Sequence, residues 1–186
     1  MSLEHILLGL LRSPCSGYDL KRTFAEGARH FWSAELSQIY PTLKRMQRRG
    51  WLTSRRAPSP KGPPRRIYRR TTRGQAALRQ WLLGEPVLGA ERFAYLAQLS
   101  FLGELGDLER TRAFLQQLRA KLAAQQAFLT QVINSAMPDP TTLDPLTFHE
   151  HLCLQMGIAS LGAKVEWCDA ALKLTALRHA QEKSRA

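Results

Sequence analysis

The sequence has few of the features that mark secreted, membrane-bound or catalytic proteins. Its three cysteines, Cys15, Cys153 and Cys168, form no CxxC pair, so a reducing compartment fits better than a disulfide framework. The N-terminal run MSLEHILLGLL lacks the basic region and the cleavage site of a secretion signal. No stretch approaches the roughly 18 apolar residues that a membrane span needs. We therefore expect a soluble, cytoplasmic protein without membrane partners.

Motifs of catalysis and of cofactor binding are missing as well. The sequence contains no glycine-rich phosphate loop, no nucleophile with a matching base and no regular metal-ligand spacing. His149, His151 and Cys153 come closest to a metal site. On a helix, however, His149 and Cys153 share one face and His151 points elsewhere, so core packing or surface exposure is the simpler interpretation. We expect no enzyme activity, no cofactor and no bound metal.

Acidic residues are scarce in the first half of the chain. Residues 1–83 contain 17 Lys and Arg against 4 Asp and Glu, a net charge of +13, whereas residues 84–186 contain 10 against 11, a net charge of −1. The 186 residues, of which 44% are apolar, are enough for two small domains with real cores. We predict a basic domain over residues 1–84, whose charge suits a polyanion such as nucleic acid, and a second domain over 85–186.

One stretch of the basic half, SAELSQIYPTLKRMQRRGWL at 33–52, predicts a helix that lies on DNA. Its apolar residues recur at spacings of three, four and three, as on one core-facing stripe. The stripe consists of Leu36, Ile39, Leu43 and Met46. The opposite face carries short polar groups first and cations after them, which is the order in which a recognition helix meets base edges and then phosphates. Its members are Ser37, Gln38, Pro41, Lys44, Arg45 and Arg48.

Two residues delimit this helix. Pro41 is tolerated near a helix start and costly further in, so it places the start near Leu36. Gly50 supplies the left-handed residue that ends the helix. A solvated basic face is the alternative interpretation of the cations, but the elements on either side make DNA binding the better one.

Two short helices precede the basic helix. The first is amphipathic, with Leu3, Ile6, Leu7 and Leu10 on one side, and Pro14 stops it. The next starts at Ser16, since Ser-Gly-Tyr-Asp matches a capping box, and it runs to about Ala28. Its candidate core contacts are Tyr18, Leu20 and Phe24. This order of helices is that of a helix-turn-helix with one additional helix in front.

A basic hairpin is predicted after Gly50. The segments LTSRR and RRIYRRT flank APSPKGPP, whose four prolines exclude a helix and predict a loop. Seven cations and no acid occupy sixteen residues, and they are Arg55, Arg56, Lys61, Arg65, Arg66, Arg69 and Arg70. Each phosphate contact here would add about −0.9 to the log–log salt slope of binding. A localisation signal or a solvated charge run is the alternative to such a wing.

After the hairpin, Thr71 or Thr72 caps a linking helix that ends at Gly84-Glu85-Pro86.

The second half is predicted to be helical. A short apolar segment over 91–102 is followed by Asp107, which can cap a long helix to about Ala136. Leucines recur in that helix every seven residues, at Leu108, Leu115, Leu122 and Leu129, as in a coiled coil.

A last helix, from about Pro145 to Ala180, has two apolar stripes. One contains Leu154, Ile158, Leu161, Val165, Cys168 and Leu172; the other contains Cys153, Met156, Ser160, Ala163, Trp167, Ala170, Leu174 and Leu177. Because one chain can cover only one stripe, the other suggests a dimer interface.

Four segments of the first half are characteristic in combination: SGYDL at 16–20, LSQIYPTLKRM at 36–46, GWL at 50–52 and IYRRTTRG at 67–74. Together they resemble the PadR family of bacterial winged-helix transcriptional regulators. The resemblance implies a homodimer that binds a palindromic operator, usually as a repressor, and often releases DNA when a small molecule binds. It also implies that Tyr40, which from its position alone could be core-packed, contacts phosphate. Arg70 departs from the family, which usually has an apolar residue there, so the packing of the second wing strand is open.

The segment GIASLGAKVEWCDAAL at 157–172 resembles, more loosely, the C-terminal helical domain of the longer PadR proteins related to virulence activators. The predicted fold is therefore mainly α: a winged helix-turn-helix of three helices, a β-hairpin wing and a linking helix, then a helical, coiled-coil-like dimerisation domain. The predicted DNA contacts fall into two sets. Ser37, Gln38 and Pro41 read bases, and Tyr40, Lys44, Arg45, Arg48, Lys61, Arg65 and Arg66 contact the backbone.

Aromatic residues raise the question of an effector. Trp32, Trp51, Trp81 and Trp167, with Phe93, Tyr95 and Phe101, are candidates to line a pocket for a small aromatic or apolar effector, although Trp residues at helix junctions are more often core. No effector-binding residue is assigned. The alternative function is an effector-binding or adaptor protein whose helical domain docks another protein and whose basic domain binds nucleic acid weakly.

Overall fold

The computed structural model describes residues 3–26, 36–59, 62–89 and 93–185. Two compact units follow one another along the chain, Met1–Ala90 and Glu91–Ala186. Most of the described residues are helical, and a small three-stranded antiparallel sheet lies in the first unit, so the predicted mainly-α winged-helix class is confirmed. The predicted domain boundary between residues 84 and 85 remains a prediction. In the described ranges no helix is long and apolar enough to cross a membrane.

The first two helices are α1 (Leu3–Leu10) and α2 (Gly17–Glu26). The predicted capping box at the start of α2 is present: the Asp19 amide donates to Ser16 Oγ at 3.1 Å, and the Ser16 amide and hydroxyl donate to the Asp19 carboxylate at 3.1 and 2.6 Å. These hydrogen bonds from Ser16 hold the pKa of Asp19 below its ordinary value. The predicted extension of α2 to Ala28 falls outside the described residues.

Helix α3 (Ile39–Arg48) follows a 3-10 turn at Leu36–Gln38. Residues 33–35, where the predicted stretch begins, are outside the described ranges. Pro41 occupies the first turn of α3, where no intrahelical partner is lost. Gly50 adopts a left-handed φ of 69° and ends the helix as predicted, with the Trp51 amide donating to Met46 O at 2.9 Å.

The sheet has the strand order β1, β3, β2, with β1 at Cys15–Ser16, β2 at Leu52–Ser59 and β3 at Gly62–Arg70. The predicted eight-residue proline loop is wrong, because the strands extend through it and pair as far as Ser59 and Gly62. Pro58 fits because β2 is an edge strand, and Pro64 fits because β1 pairs only with Ile67 and Tyr68 of β3. A proline lacks an amide donor, so it is tolerated where no second strand needs one.

Helix α4 (Thr72–Leu82) is the linking helix. Thr71 is its N-cap and accepts from the Gly74 amide at 3.0 Å. Leu78 is buried against the core and Trp81 is partly buried, whereas Leu82 is exposed.

The core of the first unit joins α1, α2, α3, the sheet and α4. Its buried residues are Leu7, Leu8, Leu11, Leu20, Phe24, Ile39, Leu43, Met46, Leu52, Tyr68 and Leu78. The predicted core role of Leu20 and Phe24 is confirmed, but that of Tyr18 is wrong because its side chain is exposed. In α1 the buried stripe runs through Leu7, Leu8 and Leu11, while Leu3, Ile6 and Leu10 are only partly buried.

The second unit consists of α5 (Ala94–Phe101), a 3-10 segment at Leu102–Leu105, α6 (Leu108–Ala136) and α7 (Pro145–Arg185). Gly106 adopts a left-handed φ of 60°. Asp107 caps α6, accepting from the amides of Glu109 and Arg110 at 2.9 and 3.2 Å, as predicted.

The two long helices pack against each other. The leucines of the α6 seam at 115, 122 and 129 are buried, and Leu122 and Leu129 form one cluster with Leu161 and Cys168 of the first predicted stripe of α7. Arg119 of α6 forms a two-pronged ion pair with Asp169 of α7, at 2.5 and 3.2 Å. The second stripe of α7 is exposed instead: Met156, Leu174 and Leu177 are each more than 60% exposed.

Candidate nucleic-acid interface

The outer face of α3 and of the turn before it is polar and open to solvent. The structure confirms that Ile39, Leu43 and Met46 face the core, and it adds Thr42, which is fully buried. All seven residues predicted to contact DNA from this segment are exposed: Ser37, Gln38, Tyr40, Pro41, Lys44, Arg45 and Arg48. The structure therefore brings these side chains together on one accessible surface, with the short polar groups at the N-terminal end and the cations after them.

Tyr40 lies at the α2 edge of this surface. Its ring rests on the backbone of Gly17, the first residue of α2, so closely that a Cβ at Gly17 would lie 2.6 Å from Tyr40 Cε1. About half of the Tyr40 side chain is still exposed. The Gly-Tyr-Asp sequence of the α2 start thus supplies two things, an N-terminal cap through Asp19 and a bare backbone on which Tyr40 can lie.

Two arginines lie at the α1 edge of the same surface and are held there by one acid. Glu4 of α1 accepts from Arg45 Nε at 3.4 Å and from Arg49 Nη1 at 2.6 Å. The Glu4 side chain is only 8% exposed, whereas both arginines remain about half exposed. Arg45 also donates from Nη2 to Thr42 Oγ1 at 2.9 Å. The guanidinium of Arg45 is therefore already engaged on two sides within the protein.

The C-terminal end of α3 is tied to the wing and to α4. Gln47 Nε2 donates to Ser54 Oγ of β2 at 2.8 Å. Thr71 Oγ1 donates to Gly50 O at 2.7 Å and the Thr71 amide to Trp51 O at 3.0 Å. Because the end of α3, β2 and the start of α4 share these bonds, the exposed face of α3 and the hairpin are positioned by the same short segment.

The wing is cationic along both strands. Arg55, Arg56, Arg65, Arg66 and Arg69 are exposed, and Lys61 lies outside the described residues. Arg56 and Arg66 are directly opposite each other in the β2–β3 register. Like charges opposite each other destabilise a sheet, and an anion between them would remove that cost. The predicted contacts Arg65 and Arg66 thus lie on a surface that suits the phosphates of a nucleic acid.

Arg70, the departure from the family pattern, does not disturb the second wing strand. It pairs with Leu52 in the regular register and is half-buried. Burial, with a smaller contribution from Arg12, lowers the pKa of Arg70 from its ordinary value. The strand therefore accommodates the long side chain at its base.

Sequence reasoning missed two residues of this site. The apolar pattern of α1 predicts no role for Glu4, although Glu4 shares a helical face with Leu7, Leu8 and Leu11. An acid within an apolar stripe is a signal that a cationic partner lies opposite. Thr42 was not recognised as buried, because it lies beside the apolar stripe rather than on it.

The candidate metal ligands and the cysteine ahead of α2 have other surroundings. His151 is buried, His149 and Cys153 are exposed, and among the residues that the structure describes no group of three or more potential ligands is close enough to hold a metal ion. Burial, with a smaller contribution from Asp19, raises the pKa of the Cys15 thiol. A raised thiol pKa is the opposite of what a redox-sensing cysteine needs.

The aromatic residues considered for an effector have different roles. His5 of α1 stacks on Trp81 with ring centres 5.2 Å apart and planes at 7°, and its ring centre is 5.7 Å from that of Trp51. In the second unit, Phe93 and Tyr95 have ring centres 5.4 Å apart, and Lys164 Nζ lies 4.7 Å from the Phe93 ring centre. Trp32 is outside the described residues.

Two family models match the chain. The model described as transcriptional regulator PadR-like family matches residues 6–80, and the model described as virulence activator alpha C-term matches residues 91–176. The first match begins within α1, contains α2, α3 and the wing, and ends in the last turn of α4. The second contains α5, α6 and most of α7.

Two relatives match over nearly the whole chain. The chain is 29% identical over 177 residues to the negative transcriptional regulator PadR of Bacillus subtilis, covering 92% of this chain and 96% of that one. Its fold is similar to the crystal structure of B. subtilis PadR in complex with operator DNA, with a TM-score of 0.77 and 26% identity over 93% of this chain and 98% of that chain. The complex of the same protein with p-coumaric acid gives a TM-score of 0.73 and 27% identity, over 94% and 98%. The Vibrio cholerae virulence activator AphA gives 0.73 and 25%, over 95% and 99%.

Proposed function

Because this chain belongs to the PadR-like family of transcriptional regulators and is not an enzyme, we propose that it binds a palindromic operator as a homodimer and represses transcription until a small molecule releases it. The observation that carries the proposal is the exposed face of α3, polar at its start and cationic after it, beside a wing whose arginines face one another. Chromosomal DNA is the partner, so the cytoplasm is the proposed location.

The contacts on DNA divide by chemistry. Ser37, Gln38 and Pro41 lie at the N-terminal end of the surface, where a recognition helix enters the major groove, and they are proposed to read base edges. The remaining predicted contacts are proposed to neutralise or bind phosphates: Tyr40, Lys44, Arg45 and Arg48 from α3, and Lys61, Arg65 and Arg66 from the wing. In the operator complex, Arg45 would stay hydrogen-bonded to Glu4 and Thr42 and would contact the backbone with the guanidinium donors that these two residues leave available.

The test of this function is binding to the promoter region of its own gene, measured by electrophoretic mobility shift at several salt concentrations. We expect nanomolar affinity for a specific site, at least a thousandfold above that for arbitrary DNA, and a steep salt dependence. Equal affinity for all sequences would contradict a sequence-specific regulator.

The second stripe of α7 is proposed as the dimer interface. Met156, Leu174 and Leu177 expose large apolar side chains on the side of α7 opposite α6, and a contiguous apolar surface of this kind is typical of an interface between subunits. We expect a mass of about 42 kDa in solution, twice the 21.1 kDa of one chain. Leu174→Glu should shift the mass toward that of the monomer and weaken operator binding, whereas Gln155→Glu, which adds the same charge to α7 outside both stripes, should change neither.

The effector is proposed to be a small aromatic or apolar compound. The support is the relative from B. subtilis, which has been crystallised with p-coumaric acid as well as with operator DNA. Titration of the preformed operator complex with p-coumaric acid and related aromatic acids tests the class of compound. Release of DNA at micromolar concentration supports the proposal, and no release by any of them removes aromatic acids as the effector.

An effector-binding or adaptor protein is the second candidate function. The observation in its favour is the same exposed stripe of α7, which a different protein could cover. A monomer of 21.1 kDa that binds DNA only at micromolar concentration would favour the adaptor; a 42 kDa species, about twice that mass, with nanomolar operator binding excludes it.

A further inference from the structure

We propose that Glu4 is a positioning residue that limits how many phosphates the recognition helix can neutralise, and that it thereby suppresses binding to DNA of arbitrary sequence. The inference rests on the proposed DNA-binding function. It starts from an arrangement that this function does not require: the most buried carboxylate of the first unit's described side chains is directed at two arginines of the DNA-facing helix.

One carboxylate, that of Glu4, binds two guanidinium groups, those of Arg45 and Arg49. Glu4 uses one oxygen for Arg45 and the other for Arg49, at 3.4 and 2.6 Å. These arginines are separated by four residues, so they lie on the same side of α3, one turn apart. Glu4 itself belongs to α1, and its backbone is fixed by the buried Leu7 and Leu8 of the same helix. The carboxylate is therefore held by the core, and the arginines are held by the carboxylate.

The environment makes this contact stronger than an ordinary surface ion pair. An exposed pair contributes little because water screens both charges. Here the acid is almost completely buried, and a buried carboxylate without its cations would be costly. The two guanidinium groups are the groups that satisfy it, so they are restrained toward α1 rather than free to extend from α3. Thr42 holds Arg45 from the other side.

This restraint affects two classes of DNA differently. Affinity for arbitrary DNA comes almost entirely from neutralised phosphates, and each additional contact steepens the salt dependence by about 0.9 in the log–log slope. Arg45 and Arg49 lie beside the exposed cations Lys44 and Arg48, so, if free, they would add contacts to any duplex. Base reading by Ser37 and Gln38 gains nothing from such contacts. By retaining both arginines, Glu4 lowers non-specific affinity more than operator affinity.

The experiment compares wild type with Glu4→Gln on a short duplex of arbitrary sequence and on the selected operator, over a range of salt concentrations. Gln keeps the size and a hydrogen-bond acceptor but removes the charge. We expect the salt slope on arbitrary DNA to steepen by about 0.9 for each arginine released, and affinity for that DNA at low salt to rise by roughly an order of magnitude. The ratio of operator to arbitrary affinity should fall.

Two control variants keep the test decisive. Glu104→Gln removes the same unit charge from the second unit and should leave the slope unchanged. On arbitrary DNA, the triple variant Glu4→Gln, Arg45→Gln, Arg49→Gln should return to the wild-type slope, a result that general destabilisation of the fold cannot produce. Thermal unfolding of each variant shows whether it is folded at the assay temperature.

The outcomes separate this inference from the proposed function. If wild type binds its operator specifically but Glu4→Gln has the wild-type slope, or loses affinity equally for both DNAs, the inference is overturned and the function stands. If wild type binds no duplex DNA, the function and the inference both fall.

Discussion

The ring of Tyr40 rests on the backbone of Gly17, and a methyl group there would lie 2.6 Å from Tyr40 Cε1. This contact joins the start of α2 to α3. Because Tyr40 is half exposed, the ring can move away from an added Cβ at little cost to the fold. Its hydroxyl, however, would no longer be where the proposed phosphate contact requires it.

Gly17→Ala is therefore predicted to weaken operator binding about fivefold, the equivalent of one hydrogen bond of ~1 kcal/mol, with little change in the unfolding temperature. Tyr40→Phe should have a similar effect, and the double variant should lose no more than either alone, since both remove one contact. The matched control is Gly9→Ala in α1, where an added Cβ meets nothing within 4 Å. It should bind like wild type and gain roughly 0.5–1 kcal/mol of stability. Additive losses in the double variant would contradict the shared contact.

Gln38 and Arg66 should differ in the DNA that they affect. Gln38→Ala is predicted to weaken operator binding by about 1–3 kcal/mol and arbitrary DNA hardly at all, because an amide reads base edges. Arg66→Ala should weaken both DNAs and reduce the salt slope by about one unit, because it loses a phosphate contact. Binding isotherms on the two duplexes at several salt concentrations check both. Equal losses on both DNAs for Gln38→Ala would remove it as a base reader.

Gly74 allows the start of α4 to approach the end of α3. A Cβ at this position would overlap the carbonyl oxygen of Trp51, which already accepts from the Thr71 amide. Because the obstacle is backbone, it cannot rotate away. Gly74→Ala is predicted to lower the free energy of unfolding by roughly 1–3 kcal/mol, measured by denaturant titration. The neighbouring exposed substitution Gln75→Ala should stay within about 0.5 kcal/mol of wild type, and an equally small effect of Gly74→Ala would refute the close approach.

His5 predicts a pH dependence of stability. Burial lowers its pKa below the ordinary value, and the opposing effect of the nearby Glu4 charge is smaller. The unfolded chain, whose histidine titrates near pH 6.5, then binds more protons than the folded chain just below that pH. The free energy of unfolding should accordingly fall as the pH decreases below about 6.5. His5→Phe preserves a ring between Trp51 and Trp81 and should flatten this decline, as measured by denaturant titration at each pH; an unchanged slope would assign the dependence to other groups.

Sequence patterns predicted the helix caps, helix ends and apolar stripes that depend on residues close together in the chain. Asp107 and Thr71 cap their helices through their own side chains, and Gly50 ends α3 with its own backbone. The two stripes of α7 also follow from periodicity, and the structure shows that the one containing Leu161 and Cys168 packs against α6. Because the residues that produce each of these features lie within a few positions of one another, a short stretch of sequence is enough to predict it.

Features that depend on distant residues were not predicted. Glu4 contacts arginines 41 and 45 positions away, and nothing in α1 alone identifies those partners. The strand β1 at Cys15–Ser16 forms only because β3 is beside it. The four prolines of the hairpin exclude a helix and therefore predict a loop, but the strand order leaves an edge in which Pro58 is tolerated. Tyr18 follows the apolar pattern of α2 and is exposed nevertheless.

The central claim is that a pair of these chains reads a specific two-fold symmetric DNA site. The most direct test is selection of bound duplexes from a random library by the full-length protein, followed by sequencing. The account predicts enrichment of an inverted repeat whose half-sites are centred about one helical turn, roughly 34 Å, apart, and loss of that enrichment for Gln38→Ala. Recovery of unrelated sequences, or of single half-sites without a symmetric partner, would contradict it.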